Sequence, residues 1–181
     1  MIVAIVGPDG SGKSTVARKL VKELEDTIYI YLGHGKERKY CLSKFNRKLL
    51  NVKFLGRFLK LIDDILIISK MKLDNDKLYV TDRWIVDLCI QSESKFKRAI
   101  FFAIFRLLPK PDIFVLLVGE PEKIFQRKSE LPVEKIRKQI NDYKKMLIKY
   151  NLLIFDTTLE SPMHIVNLVK KEIETAKGGK Q

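Results

Sequence analysis

The stretch Gly7-Pro8-Asp9-Gly10-Ser11-Gly12-Lys13-Ser14-Thr15 fills every fixed position of the pattern G-x-x-x-x-G-K-[ST]. Before it stands the apolar, β-branched run Met1–Val6. After it, Val16, Ala17, Leu20, Val21 and Leu24 fall on one side of a segment with helical spacing, Ser14–Glu25. Strand, glycine-rich turn, helix is the setting in which this pattern holds phosphate. Glycines let successive N–H groups converge on an anion, and the helix N-terminus adds partial positive charge. Lys13 is placed to bridge the β- and γ-phosphates of a nucleoside triphosphate, and Ser14 to offer its hydroxyl to Mg²⁺. A Gly-rich turn that binds nothing is the bland alternative, and the intact motif with both flanks correct argues against it.

Working outward, Ile28–Leu32, Leu78–Thr81, Asp112–Val118 and Leu152–Phe155 read as further short apolar strands. Between and after them lie helical patterns at Phe54–Met71, Ser94–Leu108, Glu120 to about Lys128, Val133–Tyr150 and the segment opened by Ser161-Pro162. On Val133–Tyr150, Ile136, Ile140, Tyr143, Leu147 and Tyr150 share a face; on the last segment, Ile165, Leu168, Val169 and Ile173 do. The connections are too long for hairpins. The expected fold is therefore α/β: a three-layer sandwich around a five-stranded, mostly parallel sheet. One domain over 1–181 is expected, with a basic helical segment at about 34–72 and a short lid at about 127–134. Ligands of such sheets bind beyond the carboxyl ends of the strands.

Two further motifs sit at strand ends. Asp82-Arg83-Trp84 follows Leu78–Thr81 directly, so its carboxylate reaches either the Mg²⁺ shell or an acceptor phosphate. Its arginine offers a bidentate fork for phosphate. The alternative is an exposed salt-bridge pair. Arg127-Lys128 precedes the break Ser129–Pro132 between two helices, the sequence form of a mobile cationic flap that keeps water from a γ-phosphate. A plain surface Arg-Lys pair is the rival reading. Asp9 puts negative charge inside a phosphate loop, so its carboxylate should point elsewhere: toward an acceptor hydroxyl, or into an Asx-type turn.

Together these residues resemble the thymidylate kinase family of P-loop nucleoside monophosphate kinases. The loop Gly7–Thr15 matches its G-x-[DE]-G-x-G-K-[ST]-T form. Asp82-Arg83-Trp84 matches its Asp-Arg-aromatic motif, in which Tyr or His is commoner than Trp. Pro111-Asp112, Glu120-Pro121-Glu122 and Arg127 are similar to its fourth strand and pre-lid helix, and Asp156-Thr157-Thr158 to its segment near the adenine. The resemblance implies transfer of the ATP γ-phosphoryl group to a nucleoside monophosphate, dTMP first, with Mg²⁺. Gly7, Asp9, Gly10, Ser11, Gly12, Lys13, Ser14 and Thr15 would then bind ATP. Lys13, Asp82, Arg83 and Arg127 would be catalytic, and Ser14 and Asp82 would face the metal. Asp9, Arg38 and Arg83 would hold the acceptor, and Arg127 would stack on adenine or stabilise the transferring group. Gly10 and Ser11 supply no loop arginine, so the catalytic cation falls to the lid. Family members are commonly dimers, which makes a homodimer an expectation by analogy only.

The middle of the chain departs from the family. Gly33-His34-Gly35-Lys36 replaces its usual segment, and Asp63-Asp64 stands amid aliphatics where a base-reading set belongs. Another small acceptor or a polynucleotide end is the rival substrate, and an ATPase without acceptor is the rival activity. The net charge of +13 suits anionic partners. Lys36, Arg38, Lys39, Lys44, Arg47, Lys48, Lys53, Arg57 and Lys60 concentrate it against the single acid Glu37. Phe45, Phe54 and Phe58 interleave with them as nucleic-acid stacking platforms do, though the last two also fit a helix core. Cys41 and Cys89 have no metal-ligand spacing and read as free thiols. No apolar run reaches the roughly 18 residues of a membrane helix. A cytoplasmic protein without a membrane partner is expected.

Overall fold

The structure, a computed structural model, describes residues 1–33, 53–74 and 76–178, with the backbone alone over 53–60. Five strands form one parallel sheet in the order β2-β3-β1-β4-β5: β1 (Ile2–Val6), β2 (Thr27–Tyr31), β3 (Leu78–Asp82), β4 (Ile113–Val118) and β5 (Leu152–Asp156). Every residue of β1, β3 and β4 is buried, which is why β1 and β4 are continuous apolar runs rather than alternating ones; β3 is apolar up to Val80 and ends in the buried Thr81 and Asp82.

Alternation along the strands sends side chains to two cores. Val3, Ile5, Val80, Val115 and Leu117 face α1 (Lys13–Glu23) and α7 (Pro162–Gly178), which contribute Val16, Ala17, Leu20, Ile165, Val166 and Val169. Ile2, Ala4, Val6, Tyr79, Phe114 and Leu116 face the opposite layer. That layer consists of α2 (Lys53–Leu73), α3 (Ile85–Gln91), α4 (Lys95–Leu107), α5 (Pro121–Arg127) and α6 (Val133–Leu147). The three-layer α/β architecture expected from the sequence is thus present. No helix among the described residues is long and apolar enough to cross a membrane.

Three details differ from the sequence reading. Helix α3 was not expected: its seven residues are nearly all apolar, so no 3.6-residue period shows. On α2 the buried positions are Asp63, Asp64, Ile68 and Met71, while Ile65 is only half-buried; the helix turns its two acids inward. On α7 Val166 takes the buried place expected of Leu168, which is exposed. Cys89 is a buried free thiol, and burial pushes its pKa up to about 12. Cys41, Arg38 and the rest of 34–52 lie outside the described residues.

Candidate active site

The glycine loop joins the carboxyl end of β1 to α1. Gly7, Gly10 and Gly12 all have positive φ (145°, 87° and 85°), conformations that side-chain-bearing residues rarely adopt. At Gly7 a Cβ would collide with the Leu117 carbonyl oxygen of the neighbouring strand, and at Gly10 it would lie 3.0 Å from the Ile124 carbonyl of α5. The loop is therefore pressed against β4 and α5.

Lys13 is 5% exposed and folds back over the loop. Its Nζ donates to the Gly7 carbonyl at 2.8 Å and the Pro8 carbonyl at 2.7 Å, and lies 3.4 Å from Asp9 Oδ1. Burial, then the Arg83 charge, lowers its pKa; Asp9, Asp87 and Asp82 work the other way. Ser14 Oγ donates to Asp82 Oδ2 at 2.5 Å, and the Tyr29 hydroxyl donates to the same oxygen at 3.2 Å. Asp82 itself is fully buried, and its Oδ1 has no hydrogen-bond partner. A buried carboxylate oxygen left unpaired, next to a hydroxyl at a phosphate loop, fits Mg²⁺, a hard cation that takes few protein oxygens and completes its shell with phosphate and water. No larger cluster of metal-binding side chains occurs among the described residues.

Asp9 points neither to a turn nor to solvent. Its Oδ1 accepts from Arg83 at 2.7 Å, so one carboxylate ties the loop to the motif after β3. Burial raises the Asp9 pKa, but Lys13, Arg83 and Lys128 outweigh burial and the net shift is downward. The sign follows: a depressed carboxyl stabilises the fold above its unfolded-state value of about 3.8, and that stabilisation is lost as pH falls through the lower folded-state value. Asp9→Asn should therefore melt below the unmodified protein at neutral pH. The gap should close as the solution is acidified, as read by thermal melting from pH 7 downward. A gap that stays constant with pH would show that the carboxylate charge contributes nothing.

Behind the loop sits a group that sequence patterns did not single out. Asp87, 2% exposed on α3, accepts from the Trp84 backbone N–H at 2.8 Å and from the Tyr143 hydroxyl at 2.7 Å. Tyr143 also approaches the Gly7 carbonyl at 3.3 Å. Burial raises the Asp87 pKa against the pull of Lys13 and Arg83. Burial and Asp87 push Tyr143 well above the ordinary phenol range. Helix α6 is thereby bonded to α3 and held against the loop. Tyr143 was legible only as one apolar position on a helix face, and Asp87 carried no signal at all.

Beside the loop opens a cavity of about 280 Å³, close to the small end for small-molecule sites. Asp9, Arg83, Trp84, Asp64, Gln91 and Lys128 are on its wall, with Asp87, Glu130 and the end of β2. Three of the wall residues also carry a buried N–H without a hydrogen-bond partner: Arg83 Nε, Trp84 Nε1 and Gln91 Nε2.

The adjacent cations Arg127 and Lys128 part company. Arg127 ends α5 and donates to Thr157 Oγ1 at 3.1 Å and to the Thr157 carbonyl at 2.8 Å, on the loop after β5. Lys128 is already extended (φ −154°, ψ 99°), which turns its side chain to the cavity wall, where it pairs with Glu130 at 3.2 Å. The expected site residues Lys13, Ser14, Asp82, Asp9 and Arg83 thus converge, whereas Arg127 stands on the opposite flank of the loop.

This sheet order, with the phosphate loop after β1, is the fold of P-loop nucleoside and nucleotide kinases. Thymidylate kinase from Candida albicans matches with a TM-score of 0.69 at 20% identity, over 97% of this chain and 92% of that one. Deoxyadenosine kinase from M. mycoides with dCMP and a flexible dCDP matches with a TM-score of 0.65 at 15% identity, over 97% of this chain and 100% of that one. The same enzyme with dATP gives 0.64 at 15% identity, over 96% and 100%. These identities establish likeness of fold. No family model matches the chain, and no curated protein matches it.

Proposed function

We propose that this chain transfers the γ-phosphoryl group of ATP to a small acceptor held beside the loop, a nucleoside monophosphate, with dTMP the first to test. The observation that carries this reading is the second pocket: the cavity abuts the phosphate loop, and the Asp9–Arg83 pair is common to both. An NTPase that passes phosphate to water has no need of a second subsite beside the loop. The M. mycoides structures contain dCMP, dCDP and dATP, so other bases belong on the panel.

In this reading the loop amides and Lys13 hold the triphosphate, and Arg83 holds the acceptor. Ser14 and Asp82 would hold Mg²⁺, which would supply neutralisation of phosphate charge. Catalysis is positioning plus charge stabilisation, so no strong base is required for a phosphate acceptor. Arg127, tied to the loop after β5, serves the nucleotide side, and Lys128 supplies lid charge at the cavity. The two assignments separate kinetically. Arg127→Ala should chiefly raise the KM for ATP. Lys128→Ala should lower kcat by about 10²-fold, the effect of losing one transition-state donor. Equal effects of both on KM and kcat would contradict the division.

A hydroxyl acceptor is the second reading. Asp9, Asp64, Asp87 and Glu130 outnumber Arg83 and Lys128 on the wall, and carboxylates suit hydroxyl hydrogens better than a second phosphate. The monophosphate reading needs the added positive charge of Lys36, Arg38 and Lys39. Coupled ADP release across nucleoside monophosphates and free nucleosides tests both. Turnover with dTMP at least tenfold over ATP alone supports the first. Turnover with nucleosides only supports the second. No acceptor exceeding the ATP-only rate rejects transfer altogether.

A further inference from the structure

Helix α4 is apolar on two sides. Its inner side places Phe105 (2% exposed) edge-on to Tyr150 with ring centroids 5.9 Å apart, and Phe101 and Ile104 pack on the core with it. Its outer side presents Phe96 (75% exposed), Ile100 (41%) and Leu107 (86%), which with Ala103 follow helical spacing along one face. Phe102, 42% exposed, lies beside them with the Arg106 guanidinium 6.0 Å from its ring. A helix that is apolar on both sides is built to be covered on both.

The charges say by what. Lys95, Lys97, Arg98 and Arg106 lie on α4, which contains no acid. The acids closest in the fold are taken: Asp142 binds Arg98 at 3.0 Å, and Glu93 binds Lys135 at 2.6 Å. Beyond the exposed Leu107, Lys110 and Lys149 stand near one another on Phe105 and Tyr150, and burial, then the Lys149 charge, lowers the Lys110 pKa. A second copy docked symmetrically on this face would set these cations against their own likeness. A nucleic acid would satisfy the charge and the rings but offers little to Ile100 and Leu107.

We propose that the outer face of α4 is a docking surface for an anionic lipid bilayer, with Phe96, Ile100, Phe102 and Leu107 entering the headgroup boundary and Lys95, Lys97 and Arg106 meeting lipid phosphates. Rings and aliphatics flanked by Lys and Arg are the composition of helices that lie in that interface. The absence of a spanning helix does not bear on it, because surface attachment requires none.

Vesicle co-sedimentation tests this, comparing phosphatidylcholine alone with phosphatidylcholine containing one-third phosphatidylglycerol. The full chain should bind the anionic vesicles and release in high salt. Lys97→Glu with Arg106→Glu should weaken binding by at least tenfold, since each cation near such a surface contributes about fivefold. Leu107→Ser should weaken it without lowering the melting temperature, its side chain being almost wholly exposed. No excess over neutral vesicles overturns the proposal. So does tighter binding to a single-stranded oligonucleotide than to anionic vesicles, or a dimer that Leu107→Ser dissociates.

Discussion

Lys13→Ala should abolish phosphoryl transfer, lowering kcat by about 10³-fold or more, while the protein keeps its fold within about 1 kcal/mol. The kinetic part follows from position: in the structure Lys13 Nζ lies over the carbonyls of Gly7 and Pro8, inside the loop that would wrap the phosphates. Its ammonium is disfavoured there by burial and by Arg83. Phosphate oxygens would relieve that, so the group gains more from a triphosphate than a hydrated lysine does. The stability part follows from redundancy. The Pro8 carbonyl still accepts from the Ser11 N–H at 3.2 Å, and Asp9 keeps Arg83. Only the Gly7 carbonyl loses its donor, because the single Tyr143 proton goes to Asp87, and removal of a desolvated charge offsets that loss. Single-turnover transfer beside a thermal melt reads both parts. A folded variant with near-normal transfer would remove Lys13 from the chemistry. A variant that fails to fold would show that the ammonium supports the loop itself.

Sequence reasoning reached the sheet and the loop for physical reasons. A strand buried on both faces has to be a continuous apolar run, as Ile113–Val118 is, and such runs are visible without neighbours. The loop is local, with its pattern and its function in the same nine residues. What escaped depends on partners distant in the chain. Asp87 looks like a surface acid in a short apolar stretch; only α6 and the loop, arriving from 56 residues downstream and from the far N-terminus, make it a buried acceptor for Tyr143. Asp64 stands out in the sequence only as an acid amid aliphatics on the acceptor side, and its place on the cavity wall comes from the assembled fold. Arg127 and Lys128 are neighbours of like charge, and only the change from helical to extended backbone between them sends one to Thr157 and the other to the cavity. Asp9, weighed as a substrate contact or a turn brace, also joins two motifs 74 residues apart.

Arg83 offers a sharper test, because its side chain and its backbone make separate demands. Its φ is 81°, in the left-handed region that costs a non-glycine residue about 1–3 kcal/mol when held there by its surroundings. The surroundings are identifiable: its N–H donates to the Ile5 carbonyl at 2.9 Å, continuing the β1–β3 ladder past Asp82, while its guanidinium is drawn to Asp9. Burial opposes the charge, but Asp87 and Asp9 prevail and raise the pKa further, so the guanidinium is a permanent cation on the cavity wall. Arg83→Ala removes the cation and keeps the strain; Arg83→Gly removes both. Both variants should lose acceptor use alike, with the acceptor KM up by about 10²-fold, the scale of losing a buried hydrogen-bonded charge, and the KM for ATP changed little. In stability they should differ, Arg83→Gly melting above Arg83→Ala by an amount equal to roughly 1 kcal/mol. Identical melting points would mean the backbone conformation is not strained. An acceptor KM unchanged in both would mean that the guanidinium braces Asp9 and the loop, and that the acceptor is held by other groups on the wall.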